Sequence, residues 1–127
     1  MRNNIISNCE YSFEFYERDA TASAHDIYIE NNTCVNAGGG WGHNQRPDGV
    51  NGSQIRLVLF TATKSNIYIR NNIFYGATER LFLLGTTSDI TNIVLDYNDC
   101  HQSSGVIGRI SGINYYTLAA WKAAISR

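Results

Sequence analysis

Charge is scarce in this chain: ten Lys and Arg against eleven Asp and Glu leave a net charge of −1. A nearly neutral surface gives no electrostatic case for a nucleic-acid partner. Long apolar runs are missing too, so no segment spans a bilayer as a helix, and no membrane association is implied. No basic n-region and apolar h-region open the chain, so it shows no secretory signal. Cys9, Cys34 and Cys100 are odd in number and lack CxxC spacing, which argues against a zinc site or a disulfide framework. The acidic residues have no EF-hand-like spacing, so neither metal nor cofactor is implied. There is one proline in 127 residues. What abounds is asparagine, together with eight tyrosines, a composition suited to β-structure with many turns.

The stretch IYIENNT at 27–33 returns as IYIRNNI at 67–73. Aligned on the second residue of the Asn pair, four copies fall into register at Asn4, Asn32, Asn72 and Asn98, separated by 28, 40 and 26 residues. Periods of this size indicate a repeat architecture. Within each copy the pattern has period two: Ile27/Ile29, Ile67/Ile69 and Ile93/Leu95 face one way, Tyr28/Glu30, Tyr68/Arg70 and Val94/Asp96 the other. A second apolar run follows in each unit, at 13–15, 55–60, 81–84 and 106–107. No helix-length segment separates successive strands, so stacked coils fit better than a sheet with helical crossovers.

This I-x-I-x-x-N-x-apolar repeat resembles that of right-handed parallel β-helix proteins of the pectin-lyase-like superfamily, over roughly residues 2–110. The resemblance implies an all-β fold: a short right-handed parallel β-helix of about four coils (1–112) followed by a C-terminal capping helix (113–127). It implies an asparagine ladder of Asn4, Asn32, Asn72 and Asn98 at tight turns. Asn tolerates the left-handed conformation, and its amide can donate to one neighbour and accept from the other. Coils about 4.8 Å apart make equivalent positions neighbours. The inward column then reads Ile6, Cys34, Phe74, Cys100, with Cys34 and Cys100 too far apart for a disulfide. The outward column reads Arg2, Glu30, Arg70, Asp96, an alternating ion-pair ladder. Glu30 and Asp96 would stand about 9.6 Å apart, near the separation of an inverting glycosidase pair. Arg70 between them would hold both ionised, whereas a general acid needs a raised pKa.

Ligand-contact candidates fall in two places. Tyr28 and Tyr68 would stack on an outer face, either as ordinary sheet packing or as a platform for sugar rings. The second coil is 12–14 residues longer than its neighbours, and the surplus is a glycine-rich insertion at 38–52. There Trp41, His43, Arg46 and Asp48 combine an aromatic with polar groups, the mixture a sugar site uses. His25 and His101 stand alone. At the C-terminal end Thr117 can cap a helix over 115–125, with Leu118, Trp121 and Ile125 on one face. It resembles the segment that closes the stack in bacterial β-helix proteins. The chain begins inside a repeat, so the reading is of the C-terminal coils of a longer solenoid, its uncapped first coil free to self-associate. By resemblance the expected role is a carbohydrate-associated module, extracellular or periplasmic, with a polysaccharide or oligosaccharide partner. Two rivals stand beside it: a fragment of a polysaccharide lyase or glycoside hydrolase using His43, Arg46, Glu30 or Asp96 with residues from other coils, and an adhesive solenoid stacking end to end.

Overall fold

The structure is a computed structural model and describes residues 1–17, 19, 23–39, 52–58, 63–87, 92–103 and 105–125. The strands are β1 (Ile5–Ser7), β2 (Tyr11–Tyr16), β3 (Ser23–Glu30), β4 (Thr33–Ala37), β5 (Ser53–Val58), β6 (Thr63–Arg70), β7 (Ile73–Ala77), β8 (Arg80–Leu84), β9 (Ile93–Asp96), β10 (Asp99–His101), β11 (Val106–Ile110) and β12 (Ile113–Tyr115). Among the described residues a helix, α1 (Leu118–Ile125), follows. They form three sheets: sheet I is β1-β4-β7-β10, sheet II is β2-β5-β8-β11-β12, and sheet III is β3-β6-β9. From β1 to β11 the chain visits I, II and III in fixed rotation, and each of these strands pairs in parallel with its counterpart one turn away. The result is an all-β, parallel, solenoid-like fold.

The register follows the apolar pattern. Ile6, Cys34, Phe74 and Cys100 are successive partners in sheet I. Phe13, Ile55 and Phe82 align in sheet II, and Ile29, Ile69 and Leu95 in sheet III. These columns face one another in a single core in which Ile29, Cys34, Ile55, Ile69, Phe74 and Phe82 are completely buried. A one-residue slip would turn every such side chain to solvent, so the register is strongly specified.

Only two residues join sheet III to sheet I in each turn: Asn31-Asn32, Asn71-Asn72 and Tyr97-Asn98. The first of each pair, like Asn3 before β1, takes a left-handed conformation, with φ of 59°, 56°, 57° and 53° at Asn3, Asn31, Asn71 and Tyr97. The sequence reading put the tight turn and the ladder on one residue. The structure divides the tasks: the first residue turns the chain, and the second carries the amide ladder. Asn4 Nδ2 donates to Asn32 Oδ1, Asn32 Nδ2 to Asn72 Oδ1 and Asn72 Nδ2 to Asn98 Oδ1, each at 2.9 Å. The same three oxygens accept the backbone N–H of Asn4, Asn32 and Asn72 at 3.0–3.1 Å. All these bonds run one way, so the ladder has an acceptor end at Asn4 and a donor end at Asn98.

Two shorter polar rows mark other left-handed positions. Asn36 Nδ2 donates to Asn8 Oδ1 at 2.6 Å, and Asn66 Nδ2 to Asp26 Oδ1 at 2.9 Å. The second row lies inside β3 and β6, which begin four residues before the Ile27 and Ile67 of the repeat and bend at Asp26 and Asn66.

The C-terminal segment differs from its expected form. Residues 113–115 are a strand, β12, antiparallel to β11, and the helix starts only at Leu118. Thr117 Oγ1 accepts the Ala120 N–H at 3.1 Å, the geometry of an N-cap. Trp121 is 1 % exposed and stacks on Phe82, ring centroids 5.3 Å apart. It lies flat against Gly108, where any Cβ would run into the indole ring. The glycine is therefore the close approach that lets α1 sit on the end of sheet II.

Candidate functional site

Sheet III presents its outer face beside the two-residue corners, and there the chemistry-bearing side chains gather. Tyr28 and Tyr68 are register partners with rings nearly parallel, 5.3 Å between centroids and 10° between planes. Arg2 lies over Tyr28, its Cζ 5.5 Å from the ring centroid, and Arg70 over Tyr68 at 5.2 Å. Such contacts favour a cation on the electron-rich ring face. Both guanidiniums converge on Glu30: Arg2 Nε donates to Oε2 at 2.6 Å and Arg70 Nε to Oε1 at 2.5 Å.

Glu30 departs from its expected surroundings. The sequence pattern put it on an exposed ladder, yet its side chain is only 7 % exposed, against 57 % for Arg2 and 42 % for Arg70. The flanking arginines themselves cover it. Its carboxyl is held below the usual range, first by the hydrogen bond from Arg70. Desolvation opposes this, and the Arg2 hydrogen bond and both positive charges reinforce it. A carboxylate kept ionised in this way cannot serve as a general acid at neutral pH.

The alternating ladder also stops one rung early. Asp96 is in register with Arg70, but its Oδ1 accepts the Tyr97 N–H at 2.8 Å. Among the described residues, no ion pair joins Asp96 to Arg70. The unit formed is Arg2–Glu30–Arg70, with an exposed carboxylate one rung beyond it.

Around the corner, Glu30, Asn31, Arg70, Asn71 and Tyr97 line an open depression of about 390 Å³. The side chains of Asn31 and Asn71, and of Asn3 one turn earlier, make no hydrogen bond within the chain, among the described residues. Their amides therefore face solvent with donors and acceptors free, one per turn. Tyr97 ends this row and is 77 % exposed. The sequence reading gave Asn31, Asn71 and Tyr97 no role. The signal was there: Tyr97 fills the place that Asn3, Asn31 and Asn71 hold in the other copies.

Trp41, His43, Arg46 and Asp48 lie outside the described residues, as does most of the 38–52 insertion. His25 is exposed and contacts Asp26, Nδ1 to Oδ2 at 3.0 Å. His101 stacks on its register partner Tyr75 on the outer face of sheet I, 4.5 Å between centroids. That pairing was readable in the alignment, since each residue stands three places after a ladder asparagine. Cys34 and Cys100 are free thiols pushed up to about 11, chiefly by burial. Among the described residues no cluster of three or more His, Cys, Asp or Glu can hold a metal ion.

In chemical terms, the corner offers two half-buried, mutually stacked tyrosine rings, one ion-paired carboxylate and a row of free amides, the rings and amides recurring at the turn spacing. These are groups that bind and orient. In comparison with known proteins, no family model matches the chain, nor does any curated protein or solved structure.

Proposed function

We propose that the chain is a right-handed parallel β-helix of the pectin-lyase-like kind, and that the outer face of sheet III and its corner bind an extended polysaccharide. One observation carries the reading. The Tyr28–Tyr68 stack, the Arg2–Glu30–Arg70 unit and the row Asn31, Asn71, Tyr97 form a continuous open strip. A sugar ring has an apolar face of C–H groups and a rim of hydroxyls. The exposed Tyr97 ring and the half-buried rims of Tyr28 and Tyr68 suit the first, and free amides and guanidiniums suit the second. An open strip with a one-turn repeat suits a linear polymer better than a small enclosed ligand. By the same resemblance, we place the protein's work outside the cytoplasm, in the extracellular or periplasmic space.

The test is calorimetric titration of the full chain against neutral and acidic oligosaccharides of several lengths. The expected result is binding that strengthens with oligosaccharide length and is lost in Tyr68→Ala and in Tyr97→Ala. Failure of every glycan to bind would sink the proposal. So would binding that survives both substitutions, and loss confined to Trp41→Ala would move the site to the insertion.

A further inference from the structure

The three sheets end differently at the last turn. Sheet II is closed by β12 and α1, which leave Ile107 and Ile110 buried at 8 % and 2 % exposure. Sheet III ends bare. Ile67 and Ile69 of β6 are 1 % and 0 % exposed, but their partners on the next rung, Ile93 and Leu95, are only half-buried, and Val94 is 45 % exposed. β9 pairs with β6 on one side and with no described strand on the other. Between this edge and α1 lies a cleft of about 550 Å³ whose walls include Leu95, Asp96, Asn98, Cys100, Trp121 and Ile125.

We propose that this cleft accepts an extended polypeptide strand in trans, lying parallel to β9 as a further rung, with the pattern apolar-x-apolar-basic-x-Asn. Three observations set that pattern. The unpaired N–H and C=O groups of an edge strand are a template for another backbone, and the half-buried Ile93 and Leu95 call for apolar partners at alternate positions. Asp96 ends a column in which Glu30 is gripped by arginines from both adjacent rungs, yet it has no ion-pair partner of its own among the described residues. A basic residue fits over it. Asn98 is the donor end of the ladder. In the earlier turns the backbone N–H and Nδ2 both donate to the next asparagine oxygen; at Asn98 the amide keeps its bond to the Ile69 carbonyl at 2.8 Å, but no next asparagine oxygen follows among the described residues. An asparagine two places after the basic residue supplies it.

The probe is a fluorophore-labelled peptide with the sequence of residues 65–73, SNIYIRNNI, titrated by anisotropy against the full chain. Saturable binding is expected. It should weaken about two- to five-fold in Asp96→Asn, the range for a partly exposed ion pair. A peptide with glutamate in place of its arginine should bind worse than the parent to the unaltered chain, and better than the parent to Asp96→Lys. In a Cys9→Ser background, bound peptide should also slow alkylation of Cys100, which locates it in the cleft. Absence of binding, equal binding of a scrambled peptide, or indifference to both Asp96 substitutions overturns the proposal. Concentration-dependent self-association that blocks the peptide would instead give the cleft to a second copy of the chain, and overturns it likewise.

Discussion

The polarity of the asparagine ladder makes Asn72→Ala far more damaging than Asn4→Ala, although both remove the same side chain from the same column. Asn72 is 1 % exposed. Its Oδ1 accepts both the backbone N–H and the Nδ2 of Asn32, and its Nδ2 serves Asn98 Oδ1 and the Ile29 carbonyl. Truncation strands the Asn32 backbone N–H in a buried place, because that donor has no second acceptor among the described residues. Asn32 Nδ2 keeps only a 3.2 Å contact to the Met1 carbonyl. Each stranded buried group costs about 1–3 kcal/mol, so two or three of them cost roughly 3–5 kcal/mol. At Asn4 the case is reversed: the side chain is exposed and accepts no ladder bond, and its loss leaves Asn32 Oδ1 still satisfied by the Asn4 backbone N–H. That substitution should cost under about 1 kcal/mol. Thermal unfolding followed by far-UV circular dichroism measures both. For a chain of this size the Asn72 variant should melt roughly 10–20 °C lower and the Asn4 variant within about 4 °C of the unaltered chain. Equal losses at the two positions would refute a directional ladder.

Three further outcomes follow from named contacts. Glu30 has a lowered folded pKa, so its stabilisation is complete above the ordinary carboxylate range and fades as pH falls through that range toward the folded value. Urea titrations at a series of pH values should show a steeper acid loss in the unaltered chain than in Glu30→Gln. Gly108→Ala drives a methyl group into the Trp121 ring. It should destabilise by about 1–3 kcal/mol and shift Trp121 emission to the red, while Gly105→Ala leaves that emission unchanged. At pH 8, iodoacetamide should modify exposed Cys9 well before Cys34 and Cys100, whose thiols stay protonated to about pH 11. Intact-mass spectra over time would show one adduct forming first.

Much of the fold was legible because its signals are local and repeated. The column Ile6, Cys34, Phe74, Cys100 could be written down from the spacing of four asparagines. So could the Tyr28–Tyr68 pairing and the place of Trp121 on the closing helix. β12 was not legible: Ile113-Asn114-Tyr115 is too short to show a period, and its partner β11 decides its state. Nor was the bend at Asp26 and Asn66, where one left-handed residue shifts the inward parity, so that Ala24 and Ile27, three places apart, both face the core. In the candidate site, Tyr97 was visible as a substitution within the repeat, but its exposure was not.

The sequence by itself determined which residues are neighbours. A period-two pattern locked to a recurring asparagine leaves one register, since a slip of one residue exposes every apolar side chain at once. It could not determine what each neighbour does. Arg2, Glu30, Arg70 and Asp96 read as four equal members of an alternating column. Only the tertiary structure buries Glu30 between two guanidiniums, turns Asp96 to the adjacent backbone and leaves β9 bare where α1 covers β11. The reason is physical. Apolar alternation is a property of one strand, whereas the partner of a charge depends on the rungs above and below it and on what covers the end of the stack.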